Sequence, residues 1–433
     1  MKVLLGGVGR RDPVAVDGTD GALLQGVSHI GPSVVYLFPT AGGSNSTAVN
    51  GTRTVEAIAT RWGAAVRVHL RPLALPDPTD YGAVVAAFRD GVRAARAAEG
   101  AGAEWHVMLS SGAPQFRLAW SLLVLNGELP ARCWEARDPN YPGASVWEAA
   151  VRVLAEPAVR DRFRDAVRRC DFAAAGEAAR LWSRQAPEPA GQTRAAWVAR
   201  LMGAYQKWDA VDWVGARDLV RAQRRAAVGR AAGGELRAAL EAQETALEQI
   251  LTLKPPQGRW LEGAANLIDL YHNARRRERA GLYVDALARV RRIVEGTIYA
   301  VVRAHGGTDL GRGTWALGAE IDHRLAALIG SGEQIERTAE GHMRLDVPPG
   351  LTIVRTLRPL HKETTDRLVG LMDHRNKSIA AHGMDPVTRQ VVQRALDEVR
   401  ELLTAALAES PESYPFSVAA LDALAQPLTD ALL

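Results

Sequence analysis

The stretch Trp105-His-Val-Met-Leu-Ser-Ser-Gly-Ala-Pro-Gln115 decides the fold of the first part of the chain. Its first five residues form an apolar run typical of a buried strand. A loop of small and polar residues follows directly, and a helical pattern then continues to Leu125. A strand that ends in such a loop and leads into a helix is the repeating unit of a parallel α/β sheet.

Other short apolar runs in this part of the chain have the same character. They predict buried strands at residues 2–5, 34–38, 66–70 and 131–135. Helical patterns lie between them at residues 53–62 and 81–98. Because strands alternate with helices, the sequence predicts a doubly wound parallel sheet.

Three of the predicted strands end in loops rich in glycine or serine, at residues 6–10, 39–47 and 110–115. In doubly wound sheets ligands bind at the carboxyl ends of the strands, and free N–H groups at helix starts favour phosphate. Gly6-Gly-Val-Gly9 lacks the Gly-x-Gly-x-x-Gly spacing, and no acidic residue ends the second strand. A dinucleotide-dependent oxidoreductase is therefore the weaker alternative, and another phosphate-containing ligand is favoured.

The composition is that of an ordinary globular protein: 433 residues, 47% hydrophobic, 24% charged, with a net charge of +4. This length predicts two or three domains, and the small positive charge suits an anionic partner without requiring one. Cys133 and Cys170 form neither a metal-ligand cluster nor a disulfide framework. No apolar run reaches about 18 residues, and the opening Met1-Lys-Val-Leu-Leu5 is too short for a signal peptide. We expect a cytoplasmic protein with no membrane partner.

The middle of the chain, from Ser145 to about Ile250, has the composition of helices. Its aromatic residues, among them Trp208 and Trp213, either stack on bases or pack helices together; the acidic residues beside them favour packing. Further on, arginines form the densest basic cluster of the chain, at positions 275, 276, 277, 279, 291 and 292. This cluster either follows a nucleic-acid backbone or is a solvated face.

The sequence makes further predictions outside these features. Residues between Arg10 and Val34 are expected to form a polar loop, and residues 266–302 two long helices. Segments 306–313 and 330–349 are expected to be loops, and residues 345–354 a short strand or an ordered insertion. The tail to Leu433 is apolar enough to pack.

Near the C-terminal end stands Leu371-Met-Asp-His-Arg-Asn-Lys-Ser-Ile-Ala-Ala-His-Gly383. If this stretch is one helix capped by Gly383, Arg375 and His382 share a face, with Cα atoms roughly 10 Å apart along the axis. Arginine can bind phosphate oxygens through its fork, and histidine can transfer a proton near neutral pH. Asn376 could hold either side chain. On spacing alone, a surface or capping role is the more common explanation of such a pair. His374 is a second candidate proton carrier, with a solvent-facing role favoured.

Two stretches, one in the first part of the chain and one near its C-terminal end, resemble motifs of known families. Arg375-Asn376, five residues and His382 resemble the catalytic motif of the HEPN superfamily. Ser110-Ser-Gly-Ala-Pro-Gln-Phe116 after a buried strand resembles the signature of CARF domains, and the Gly-Val-Gly-Arg10 loop fits the same pattern. Ala113 and Phe116 stand where that family usually has threonine and methionine. Together these features resemble the CARF–HEPN ribonucleases of type III CRISPR systems.

The resemblance implies a Rossmann-like CARF sensor at residues 1–142, a helical linker domain at 143–254 and an all-α HEPN ribonuclease domain at 255–433. It implies an endoribonuclease that is activated by a cyclic oligoadenylate and cleaves single-stranded RNA in antiviral defence. The implied catalytic residues are Arg375, Asn376 and His382. The implied activator-binding residues are Gly7, Val8, Gly9, Arg10, Ser44, Asn45, Ser110, Ser111, Gly112, Pro114 and Gln115. A ring of four adenosines is favoured over six, and a secondary activity on the activator is left open.

The motif also indicates a mechanism without a metal or another cofactor. No Asp/Glu/His cluster with metal spacing accompanies Arg375 and His382, so we expect the RNA 2′-hydroxyl to act as the nucleophile. One histidine cannot easily serve both ends of an in-line reaction, and a homodimer would bring two copies to one phosphate. DNA should be neither cleaved nor stably bound. The alternative is a nucleotide-sensing adaptor, or a toxin half, whose HEPN-like domain dimerises without ribonuclease activity.

Overall fold

The computed structural model describes the chain except residues 43–45, 76, 101, 138–144, 155, 187–188, 255–260, 312, 330–336, 379–382, 408–410 and 433, and the side chains of 152, 153, 327–329 and 374. The chain divides into two compact units. The first contains Met1–Arg162, Glu177–Ala196 and the last two residues; the second contains Phe163–Gly176 and Trp197–Ala431. The predicted helical linker is therefore shared between the two units, and the three predicted domain boundaries remain a prediction.

The first unit contains a six-stranded sheet and a separate pair of two-residue strands. The strands are β1 (Lys2–Gly7), β2 (Val34–Phe38), β3 (Thr40–Ala41), β4 (Arg67–Leu70), β5 (Leu73–Ala74), β6 (Glu104–Met108), β7 (Ala131–Ala136) and β8 (Val146–Glu148). The sheet order is β4, β2, β1, β6, β7, β8, and β3 pairs with β5. The pairing is parallel except between β7 and β8. The doubly wound sheet is thus confirmed, with an antiparallel edge strand that the sequence did not predict.

Helices cover both faces of this sheet. They are α1 (Ala22–Ile30), α2 (Ala48–Trp62), α3 (Tyr81–Glu99) and α4 (Pro114–Leu125). Alternate residues of β1 enter different cores: Val3 and Leu5 pack with residues of α3 and α4, whereas Leu4 packs with residues of α1 and α2. This alternation follows from the two-residue period of a strand. Helix α1 lies in a segment predicted as a polar loop, so that prediction is wrong. The helix is stabilised by burial of its apolar face against the sheet, which the local sequence does not reveal.

Among the described residues, six helices follow, and two short 3₁₀ helices (Gly63–Ala65 and Val151–Leu154) lie in the first unit. The helices are α5 (Glu156–Arg168), α6 (Phe172–Gln185), α7 (Pro189–Asp209), α8 (Trp213–Arg225), α9 (Ala227–Ala231) and α10 (Gly234–Leu251). The aromatic residues of this region pack helices together. Trp208 is buried and stacks on Phe416 with ring centroids 4.3 Å apart. Its indole N–H donates to the buried Asp269 carboxylate at 2.8 Å, so this ring is not available for stacking on bases.

The rest of the second unit is mainly helical. Its elements are α11 (Ala264–Arg279), α12 (Tyr283–Ala304), β9 (Thr308–Gly311), β10 (Thr314–Ala316), α13 (Ala319–Ile329), β11 (Met343–Arg344), α14 (Val347–Leu357), α15 (Lys362–Lys377), α16 (Arg389–Leu407) and α17 (Val418–Leu432). The predicted pair of long helices between residues 266 and 302 is present as α11 and α12. One face of α12, including Val290 and Val294, packs in a core with Leu368 of α15 and Val399 of α16.

Three expectations for this region are wrong. The segments 306–313 and 330–349, predicted as loops, contain parts of a three-stranded antiparallel sheet of β9, β10 and β11 and the start of α14. Residues 345–354 were expected to be a short strand or an ordered insertion. The strand is wrong, because these residues lie mostly in α14, whose Leu351 and Val354 join the helical core. Burial of Leu351 and Val354 in this core stabilises a helix here rather than a strand. The C-terminal tail packs, as predicted, and forms α17.

The predicted fold class is therefore confirmed as an α/β sheet unit combined with a helical C-terminal region, which also contains the small sheet of β9, β10 and β11. Among the described residues, no helix has both the length and the apolar character needed to cross a membrane.

Candidate functional site

The first candidate site is a cavity inside the first unit, beside the loops that follow β1 and β6. Its volume is about 770 Å³. The sheet order changes direction between β1 and β6, and ligands of doubly wound sheets bind at such a point. The cavity is lined by part of the predicted binding set, namely Gly9, Arg10, Ser110, Ser111 and Gly112.

Asp12 joins the two loops at the wall of this cavity. Its Oδ2 accepts hydrogen bonds from the Gly9 N–H at 2.9 Å and from the Ser111 hydroxyl. Its Oδ1 accepts from the Leu23 N–H, in the first turn of α1, at 3.3 Å. The Asn50 side chain holds the same loop from α2, since its Nδ2 donates to the Asp12 carbonyl at 2.7 Å. The shape of the cavity wall thus depends on a buried carboxyl group that the sequence did not single out.

Two glycines allow the loops to approach each other closely. A Cβ atom on Gly9 would lie 2.9 Å from the backbone nitrogen of Gly112, a contact that has no room for a side chain. Gly112 has a φ of +91°, in the region that favours glycine. The Phe116 ring packs under Gly112 and under Gly7, where a Cβ atom would lie 2.5 Å and 2.4 Å from it, respectively. Phe116 therefore packs against the backbone of both loops.

The remaining predicted binding residues have other positions. Gly7 and Val8 are buried and do not line the cavity. Pro114 and Gln115 form the first turn of α4 and lie outside the lining as well. Ser44 and Asn45 lie outside the described residues. The Ser110 hydroxyl is tied to the end of β7, because it accepts a hydrogen bond from the Ala136 N–H at 2.8 Å.

The cavity also carries charged residues that sequence reasoning missed. Arg11, Arg117 and Arg137 line it together with Arg10, against the acidic side chains Asp12, Asp17 and Asp20. Arg117 directly follows the quoted signature, so its position on α4 was a signal that could have been used. Asp12 and Arg137 gave no such signal, because only the tertiary fold brings them to the same cavity. Four guanidinium groups suit a ligand with several phosphates.

The second candidate site lies at the C-terminal end of α15. Leu368 and Met372 bury one face of this helix in the core, and Arg375 and Asn376 follow in its last turn. The helix ends at Lys377, so the expectation of one continuous helix to Gly383 is wrong. Ser378 terminates it: its hydroxyl donates back to the Arg375 carbonyl at 2.7 Å.

The chain then returns to the same helix end. The Gly383 N–H donates to the Ser378 carbonyl, and the Asp385 N–H donates to the Lys377 carbonyl, each at 3.1 Å. A Cβ atom on Gly383 would lie 1.6 Å from the Lys377 oxygen, so only glycine fits there. Gly383 thus lies against the end of α15 rather than capping a helix that continues to it. His382 and the side chain of His374 lie outside what the structure describes.

Asn376 connects Arg375 with an arginine from another helix. Its Oδ1 accepts hydrogen bonds from Arg291 Nη1, on α12, at 3.1 Å and from Arg375 Nη1 at 3.4 Å. Glu295 holds Arg291 in place from one turn further along α12, with Oε1 2.7 Å from the Arg291 Nε. Burial, together with the neighbouring Arg291 guanidinium, lowers the pKa of Arg375 from its usual value. Arg375 Nε is buried and has no hydrogen-bond acceptor among the described residues.

The predicted basic cluster is not one solvated face or one free nucleic-acid track. Arg276 is fully buried, and its Nε lies 3.1 Å from Asp209 Oδ1. The carboxyl partners of the other paired members are Asp209 and Asp285 for Arg277, Asp422 for Arg279, Glu295 for Arg291, and Glu262 and Glu295 for Arg292. These arginines therefore serve mainly to join helices, and Arg291 is the member that reaches the motif.

The second site lies within the part of the chain that matches a known protein family. Residues 260–406 match a family model described as the Csm6 HEPN domain. Among solved structures, the chain is similar to Enterococcus italicus Csm6 bound to cyclic hexa-2′-fluoro-hexa-dAMP, with a TM-score of 0.59, 17% sequence identity and coverage of 100% of both chains. At this identity the structural likeness shows the fold. No curated protein matches the chain. The predicted resemblance is confirmed to this extent: residues 260–406 match the HEPN domain of Csm6, and the whole chain shares the fold of a Csm6 protein.

Proposed function

We propose that the protein is a metal-independent endoribonuclease that cleaves single-stranded RNA in type III CRISPR antiviral defence and is activated by a cyclic oligoadenylate. The observation that carries the proposal is the position of Arg375 and Asn376. They end a helix within the stretch that matches the Csm6 HEPN domain, and Arg375 has a buried Nε with no acceptor among the described residues. A guanidinium group in such a place is suited to bind a phosphate.

The proposed reaction needs three functions at one phosphate. The RNA 2′-oxygen attacks the adjacent phosphorus, and the bond from phosphorus to the 5′-oxygen breaks. A base removes the proton of the 2′-hydroxyl, an acid donates a proton to the departing 5′-oxygen, and cations stabilise the charge on the phosphate. We assign proton transfer to His382 and charge stabilisation to Arg375. The products are a 2′,3′-cyclic phosphate and a 5′-hydroxyl.

A homodimer supplies the second proton carrier in this proposal. A two-fold axis pairs a surface with its own copy, so two copies of Arg375, Asn376 and His382 could meet at one phosphate. In the described parts of the chain, no group of three or more His, Cys, Asp or Glu side chains is placed to hold a metal ion. In the proposed site, the charge of Arg375 stabilises the phosphate in place of a metal ion. Cleavage in the presence of EDTA tests this assignment.

The N-terminal cavity is the proposed activator site. Its arginines suit the phosphates of a cyclic oligonucleotide, and the closely packed Gly9 and Gly112 loops expose backbone to it. The similar Enterococcus italicus protein is bound to cyclic hexa-2′-fluoro-hexa-dAMP, which supports this ligand class. We retain four adenosines as the predicted ring size for this chain, and both rings belong in the test. The boundaries 1–142, 143–254 and 255–433 are proposed as sensor, linker and nuclease.

The test of the chemistry is the identity of the products. Activated protein is incubated in EDTA with an RNA oligonucleotide, and a matched oligonucleotide carries a 2′-deoxy sugar at the preferred cleavage position. We expect cleavage of the first to give 2′,3′-cyclic phosphate ends, and no cleavage at the substituted position of the second. Cleavage that EDTA abolishes, or 3′-hydroxyl products, would contradict the proposal.

A further inference from the structure

Arg291 reaches the motif with part of its guanidinium group uncommitted. Its Nε contacts Glu295 at 2.7 Å and its Nη1 contacts Asn376 at 3.1 Å. Among the described residues, its hydrogen bonds use only these two nitrogens, which leaves the N–H groups of Nη2 for another acceptor. The side chain is about one-third exposed, at 35%, so a ligand can reach it.

Two guanidinium groups share one amide oxygen at this place. Arg291 and Arg375 come from different helices, and both donate to Oδ1 of Asn376. Like charges held this close repel each other, and the neutral amide oxygen does not compensate a charge. Glu295 compensates only part of it, because it also lies 3.9 Å from Arg292. Arg375 has no carboxylate partner within ion-pair distance among the described residues. An anion between the two arginines would relieve the repulsion.

We propose that Arg291 is a second phosphate-binding residue of the nuclease site, and that Arg291 and Arg375 hold one RNA phosphate between them. In this arrangement Asn376 fixes both guanidinium groups, and Glu295 fixes the direction of Arg291. The inference rests on the proposed function, since it names how that site binds its substrate. The arginine lies 84 positions before Arg375 in the sequence, outside the motif that suggested the site.

The test is RNA binding in the His382→Ala background, where cleavage does not interfere. Affinity for a short single-stranded RNA is measured by fluorescence anisotropy at several salt concentrations. We expect R291A to weaken binding roughly 10- to 100-fold, the range of one lost charge-assisted hydrogen-bonded contact. The slope of log affinity against log salt should fall by about 0.7 for each lost phosphate contact. Arg291→Lys should keep the slope and lose part of the affinity, because lysine retains the charge without the fork.

The matched control is Arg324→Ala. Arg324 pairs with Glu320 four residues away on α13, as Arg291 pairs with Glu295 on α12, but it contacts none of the described residues of the motif. The control should leave affinity and slope unchanged. Thermal unfolding of each variant shows whether lost binding reflects a lost fold, and a folded Arg291→Lys variant retains the test if Arg291→Ala does not fold.

The two failures are distinguishable. If activated wild-type protein cleaves RNA but Arg291→Ala binds it with unchanged affinity and slope, this inference is overturned and the proposed function stands. If the wild-type protein cleaves no RNA with either activator, the proposed function fails, whatever Arg291→Ala does to binding. A role of Arg291 confined to holding Asn376 would leave the salt slope unchanged, and that result would also overturn the inference.

Discussion

Asp12 and Ser111 lie 99 positions apart in the sequence and are joined by a hydrogen bond from the Ser111 hydroxyl to the Asp12 carboxyl group. The same carboxyl oxygen accepts the Gly9 N–H at 2.9 Å. Burial raises the pKa of Asp12 from its usual value, although each of these hydrogen bonds opposes the rise. One buried carboxyl group therefore holds together two loops that are predicted to bind the activator.

Replacing Asp12 with alanine should weaken activation without changing the chemistry of cleavage. The Ser111 hydroxyl loses its acceptor, whereas the Gly9 N–H retains its hydrogen bond to Ser111 Oγ at 3.2 Å. A buried group left unsatisfied costs about 1–3 kcal/mol. We expect the activator concentration for half-maximal RNA cleavage to rise at least about tenfold, with the rate at saturation retained. Asp90→Ala is the control, because Asp90 is 73% exposed on α3 and pairs only with Arg93. Equal activation curves for Asp12→Ala and wild type would contradict the role of this carboxyl group.

Gly383→Ala should disrupt the close approach of Gly383 to the end of α15. The new Cβ atom would lie 1.6 Å from the Lys377 carbonyl oxygen, so the chain must move away from the end of α15. A displacement of about 1 Å in a catalytic group can cost about 100-fold in rate, and we expect a loss of this order in RNA cleavage. Gly370→Ala is the matched control within α15, because no described atom outside the helix backbone lies within 4 Å of its Cβ position. That variant should be active and about 0.5–1 kcal/mol more stable. A fully active Gly383→Ala would show that the close approach of Gly383 to the end of α15 is not needed for cleavage.

Asp209→Ala should destabilise the second unit strongly. Arg276 is fully buried, and Asp209 is the carboxyl group that faces its Nε at 3.1 Å. Removing one partner of a buried pair leaves an uncompensated charge and costs about 3–5 kcal/mol. Asp218→Ala should cost less than about 0.5 kcal/mol, because Asp218 is exposed and its pair with Arg217 lies at the surface. Urea denaturation of the two variants measures the difference, and equal stabilities would contradict a compensating role for Asp209.

The stability of the fold should decrease as the pH falls below about 6.5. Burial lowers the pKa of His106 to about 4 and that of His272 to about 3. Both histidines are neutral in the folded chain, whereas the unfolded chain binds protons near pH 6.5. Each histidine therefore removes about 1.4 kcal/mol of unfolding free energy for each pH unit between about 6.5 and its folded pKa.

Urea denaturation at pH 7.0 and 5.5 measures this slope. His106→Gln should reduce the slope by the contribution of one proton, whatever its effect on absolute stability. The exposed His323 of α13 provides the control. A slope that His106→Gln leaves unchanged would show that this histidine is protonated in the folded state.

The strands of the first unit were predictable because each is a short, continuous apolar run. Leu4 and Leu5 enter different cores, so both must be apolar, and the run marks a strand buried on two faces. The antiparallel edge strand β8 was not predictable, since its three residues gain their structure only by pairing with β7. Helix α1 was missed for a related reason: its apolar face is stabilised by packing against the sheet, which the local sequence does not reveal.

The candidate sites were predictable only where they coincide with a local motif. Arg375 and Asn376 belong to such a motif, whereas Arg291 and Asp12 are brought to their sites by contacts 85 and 99 positions long. The end of α15 at Lys377 was missed because the apolar pattern continues through Ile379 and Ala380. The bonds that end the helix, from Ser378 and Gly383, are tertiary loop contacts that the pattern does not contain.

In the proposed function, one chain both senses a cyclic oligoadenylate and cleaves RNA through Arg375 and His382. The most direct measurement is the cleavage rate of a fluorogenic single-stranded RNA in EDTA, with no activator, with cyclic tetra-adenylate and with cyclic hexa-adenylate, for wild type, Arg375→Ala and His382→Ala. We predict cleavage by wild type that depends on an activator, with tetra-adenylate the stronger, and loss of that cleavage in both variants. Activator-dependent cleavage that persists in His382→Ala, or no cleavage by wild type with either ring, would contradict the account.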